Sequence, residues 1–78
     1  GLPALLVEDG GGRVTTMAHA RDDLVRRALE AWLTHVAAFE HHVQVMTWNG
    51  APVLHSAGQP LLEAVEFHRD YPGMRWER

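Results

Sequence analysis

The hydrophobic pattern changes period several times along the 78 residues. Leu2 to Glu8 is apolar and closes on an acidic turn. Asp9-Gly10-Gly11-Gly12 then supplies a reversal, because glycine accepts positive φ without steric cost. Arg13 to Met17 is β-branched and apolar enough to return as a strand, so the first segment predicts a hairpin. From His19 the period lengthens. Val25, Ala28, Leu29, Trp32, Val36 and Phe39 recur at helical steps, opposite Asp23, Arg26, Arg27, Glu30 and Thr34. This predicts a helix of about five turns. Asp22 and Asp23 stand in its first turn, where the helix dipole favours negative charge, and His41 and His42 stand at its end.

The alternation then resumes. Val43, Val45 and Thr47 oppose Gln44, Met46 and Trp48, and Asn49-Gly50 is a strong hairpin signal because both residues tolerate positive φ. The return strand, Ala51 to Leu54, contains Pro52, which cannot donate to a ladder and so belongs at an edge. Gln59 to Val65 reads as a second, shorter helix with Pro60 near its start. The last segment, FHRDYPGMRWER, holds three arginines and a Pro-Gly turn. Met74 and Trp76 alternate with Arg75 and Glu77, which predicts a closing hairpin or bent strand with the sulfur and indole inside and the charges wet. The expected fold is therefore α+β: a mainly antiparallel sheet with two helices on one face, order β-β-α-β-β-α-β with room for one more strand. Without the first strand this is the ferredoxin-like order.

Composition narrows the picture. The length allows one domain, residues 1–78, with a small core. No cysteine is present to staple it. A formal net charge of −3 argues against a general electrostatic grip on nucleic acid or acidic membrane, and no apolar run is long enough to span a bilayer. All seven basic side chains are arginine, beside abundant Ala, Val, Leu and Gly and no Ile, as a GC-rich coding sequence produces. A chain that starts on Gly1 suggests a piece excised from a longer protein.

Candidate chemistry is sparse. The DGGGR run leads into a strand, with no lysine, whereas a phosphate loop needs a helix directly after it. The six histidines contain no i, i+4 pair, so no metal site is expected. Ser56 and His55 are neighbours on the chain and face opposite sides of an extended segment. Asp70 is a lone carboxylate between Arg69 and Tyr71. No acid–base pair or nucleophile is positioned by spacing, so no catalytic residue and no cofactor are expected in this segment. Arginine beside aromatics is the one feature leaning toward nucleic acid. Arg13, Arg69, Arg75 and Arg78 fall on one side if the first and last hairpins are neighbours, and four contacts give a modest, salt-sensitive affinity.

The runs LLVEDGGGRVTTM, NGAPVLHS, PLLEAVEF and DYPGMRWER, with the Leu-, Ala- and Arg-rich helix between the first two, resemble the extreme C-terminus of the Lhr-type large helicase-related proteins. The resemblance covers almost the whole chain, on short motifs. Glu66 stands where that family has glycine before the aromatic, and Trp32, Trp48 and His41-His42 have no counterpart in its pattern. The resemblance implies a cytoplasmic, nucleoid-associated parent that is an ATP-dependent DNA helicase of DNA repair, with ATP and Mg in a motor outside this chain. This segment would be an accessory module that completes the C-terminal region, with the rest of the parent, DNA, or a second copy as partner and no membrane role. The alternative is a free-standing ferredoxin-like regulatory or ligand-binding domain that homodimerises.

Overall fold

The computed structural model describes residues 4–78. Its elements are β1 (Leu5–Glu8), a 3-10 turn (Asp9–Gly11), β2 (Arg13–Thr16), α1 (Asp22–Val36), β3 (His42–Val45), β4 (Thr47–Trp48), β5 (Ala51–Pro52), α2 (Gly58–Ala64), β6 (His68–Asp70) and β7 (Gly73–Glu77). The α+β class holds, and the ferredoxin-like run of elements lies within this order when β3 and β4, which are one extended stretch broken at Met46, count as a single strand. Leu2 and Pro3 of the expected first strand lie outside the described residues.

The strands form two small sheets, ordered β1-β2-β4-β5 and β3-β7-β6. Every pairing is antiparallel except β2 with β4, where Arg13 faces Thr47 and Val14 faces Trp48. One extended stretch, His42 to Trp48, serves both sheets, and the break at Met46 has a specific cause. The Gly12 carbonyl accepts from Met46 N–H at 2.8 Å and from Thr47 N–H at 3.0 Å. Two successive amides on one acceptor are the mark of a bulge, which adds a residue and reverses the side-chain alternation. Hence Val43 and Val45 are buried before it and Trp48 after it.

The C-terminal segment closes the structure. Strand β7 is the middle of its sheet, with Val43 opposite Trp76, Val45 opposite Met74, and Met74 opposite Arg69 on the other side. Met74 is fully buried and Trp76 packs half-buried against the core, while Glu77 is exposed and Arg75 half-exposed. The tail is therefore core-forming.

Helix α1 presents Val25 and Leu29 inward, as its spacing predicts, together with Leu33, which the expected stripe left out, while Trp32 and Val36 are only partly buried; it packs on α2, which presents Leu62. Each such side chain contributes about 1.5–3 kcal/mol of burial. The helix stops earlier than its pattern suggests. It ends at Val36, so Phe39 falls in the following turn and is 66% exposed, edge-on to His35 with centroids 5.0 Å apart. His42 consequently starts β3 and does not cap the helix. Pro52 lies on the edge strand β5, and Pro60 lies in the first turn of α2. Ser56 fixes that turn: its hydroxyl donates to the Val53 carbonyl at 2.6 Å and accepts from Gly58 N–H at 3.1 Å. No helix among the described residues is long and apolar enough to cross a membrane.

Candidate nucleic-acid interface

The four arginines do not form one patch. Arg13 stands opposite Glu8 on the β1–β2 hairpin, where its guanidinium meets Asp9 Oδ2 at 2.9 Å and Glu8 Oε1 at 3.8 Å. The other three belong to the second sheet and its end. Cross-strand partners share a face, so Arg75 lies with His68 and Gln44 on the face turned from the core. Arg69, opposite buried Met74, lies at the rim of the other face. Arg78 follows β7, donating its backbone N–H to the His41 carbonyl at 2.8 Å and its guanidinium to the Ala37 carbonyl. That guanidinium sits at the C-terminal end of α1, where positive charge is favoured.

Three of the four charges thus already have intramolecular partners. Arg75 Nε donates to Glu77 Oε1 at 2.6 Å, and this bond, with the charge behind it, holds the Glu77 carboxyl below its ordinary value. His68 and His42 add smaller contributions in the same direction. Of the four, Arg69 is exposed and has neither an ion pair nor a side-chain hydrogen bond among the described residues. What the outward face of β3-β7-β6 offers is a polar surface of His42, Gln44, His68, Arg75 and Glu77, able to donate and accept hydrogen bonds with little net charge.

The glycine turn is not shaped for phosphate. Gly10 adopts φ 67° and Gly11 φ 105°, and a strand follows. A Cβ at Gly11 would come within 2.7 Å of Val43 Cγ1 and 3.1 Å of Trp32, so this glycine lets the turn lie against the core. Among the described residues no three His, Asp or Glu side chains converge as a metal site would require.

Two open grooves flank α1. One, of about 420 Å3, runs between α1, the end of α2 and β7, with Glu30, Glu66 and Glu77 around Trp76. The other, of about 400 Å3, runs between α1 and the β1 hairpin, with Val7, Trp32 and Val36 as its apolar wall and Glu8, Asp9 and Glu40 at its rim. The sequence reading missed both. Trp32 and Val36 share the periodicity of true core residues, and only the unequal flanks of α1, one charged and one not, distinguish a wall from a core.

Comparison with protein families, with curated proteins and with solved structures finds no match to this chain.

Proposed function

We propose that this chain acts as the C-terminal accessory module of an Lhr-like ATP-dependent DNA helicase in DNA repair. It supports a larger assembly and carries out no chemistry itself, while the motor, with its ATP and Mg, lies elsewhere in the parent. The observation that supports the reading is that three of the runs behind the resemblance form elements of the fold. NGAP makes the β4–β5 turn, PLLEA makes most of α2, and DYPGMRWER makes the hairpin whose second strand is central to its sheet.

DNA contact in this reading falls first to Arg69, because Arg13, Arg75 and Arg78 are engaged within the chain. With a net charge of −3, the affinity is weak and falls steeply with salt. Two measurements test the proposal. Sequencing the DNA upstream of the Gly1 codon should reveal a continuous frame carrying helicase motifs, and an immediate start codon would contradict it. Fluorescence anisotropy with single-stranded and duplex oligonucleotides at low salt tests the DNA role. That role fails if binding is absent or survives alanine at Arg13, Arg69, Arg75 and Arg78 together.

The second reading, a free-standing ferredoxin-like domain that homodimerises, is favoured by the element order and by the open edge of β1. A short independent gene and a discrete dimer in sedimentation would select it.

A further inference from the structure

Strand β1 is the end of its sheet, and its hydrogen bonds show which backbone groups are left over. Its register pairs Leu5 with Thr16 and Val7 with Val14, and one step further out Met17 N–H donates to the Ala4 carbonyl at 3.0 Å. Antiparallel partners exchange hydrogen bonds at alternate positions. Ala4, Leu6 and Glu8 therefore bond inward to β2, and the N–H and C=O of Leu5 and Val7 point away from the sheet. Two observations on β2 agree. Thr16 N–H donates to Asn49 Oδ1 and the Val14 carbonyl accepts from Asn49 N–H, both on the side away from β1. Outside the β1–β2 ladder, no hydrogen bond among the described residues reaches the backbone groups of Leu5 and Val7.

The space beside this edge has a wall. Val7 faces α1 across the groove that Trp32 and Val36 also line. Helix geometry puts Leu24, Ala28, Ala31 and His35 on the same flank of α1 as Trp32, and Arg26 and Glu30 on the other. This near flank carries no carboxylate or guanidinium, and Leu24 is 37% exposed. On its other face the sheet edge adds Leu6, 48% exposed. The far end of the groove is acidic: Glu8, Asp9 and Glu40 line it and outnumber Arg13, which pairs with the first two, and Arg78, held at the Ala37 carbonyl.

We infer that the open edge of β1 accepts an extended polypeptide segment as a further strand, which sets apolar side chains against Trp32 and Ala28 and an arginine or lysine against Glu40 and Glu8. Main-chain bonds at Leu5 and Val7 supply the attachment, and alternate side chains supply the selectivity. A basic segment fits better than a second copy of this strand. The sequence around β1, ALLVED, holds no positive charge and would leave the acidic end unmatched. The inference goes beyond the helicase reading and holds whether or not the chain belongs to one.

The test uses the 78-residue chain and capped heptapeptides of alternating valine and threonine with one terminal arginine, made with the arginine at either end. At millimolar peptide, amide resonances of Leu5 and Val7 should shift and their hydrogen exchange should slow by about tenfold or more. Replacing the peptide arginine by glutamate should weaken binding by about two- to fivefold, as expected for an exposed ion pair. Glu40→Arg, at an exposed position that the core does not use, should reverse that preference. Three outcomes overturn the inference: no shifts at millimolar peptide, shifts confined to β5, β3 or β6, or protection of Leu5 and Val7 in a homodimer of the chain alone.

Discussion

Asn49 clips the β4–β5 turn to the end of β2 by accepting from the backbone N–H of Thr16 at 2.7 Å, while its own amide nitrogen donates to Thr16 Oγ1 at 3.0 Å. The residue that makes the turn also secures the parallel pairing of β2 with β4. Its φ of 52° lies in the left-handed region, which asparagine tolerates better than most residues. Asn49→Ala loses both the clip and the conformational tolerance, and should cost about 2 kcal/mol in chemical denaturation. Asn49→Gly keeps the backbone at ease and should cost about half of that. Equal losses would mean that the conformation is not held as described.

Two glycines separate packing from backbone strain. Gly58 is buried, and a Cβ there would overlap the indole of Trp48. Gly58→Ala should destabilise by about 1–3 kcal/mol and perturb the near-ultraviolet signal of the tryptophans. Gly50 has φ 82° with open space around its Cβ position. Gly50→Ala should cost about 1 kcal/mol with an unchanged aromatic signal.

Met74 is fully enclosed, opposite Val45. Met74→Ala should cost about 2–5 kcal/mol, comparable with the whole stability of a domain this size, so urea midpoints should collapse or the chain should unfold. Tyr71, 87% exposed in the same hairpin, should change stability by less than about 0.5 kcal/mol when replaced by serine.

The Glu77 carboxyl is held below its ordinary value of 4.5 by Arg75. A folded pKa below the unfolded one means that the pair's stabilisation is present above pH 4.5 and is lost as pH falls through the folded value. Titration by NMR should place Glu77 below 4.5 in the native chain, and Arg75→Ala should return it toward 4.5. An unchanged titration in the variant would show that the ion pair does not form in solution.

Much of this fold can be read from local signals. Val25 and Leu29 in the stripe of α1, the Asn49-Gly50 turn, the edge position of Pro52 and the alternation of Met74 and Trp76 each depend on a few neighbouring residues, and each stands in the structure. What could not be read depends on distant partners. The bulge at Met46 arises because the Gly12 carbonyl, far off in sequence, takes two amides. Phe39 extends the helical periodicity but lies beyond the helix end, so its spacing misleads. The arginine grouping required all four to share one side, and strand alternation puts Arg69 and Arg75 on opposite faces of their sheet, which neighbouring residues alone do not reveal.

The central claim is that the C-terminal dozen residues form the middle strand of a sheet and close the core. Native-state hydrogen exchange of the β7 amides tests it most directly. The account predicts that the hydrogen-bonded amides of Met74, Arg75 and Trp76 are among the slowest in the chain, exchanging only with global unfolding. Exchange of these amides at the rate of an unstructured peptide, while those of Leu29 and Leu33 remain protected, would contradict it.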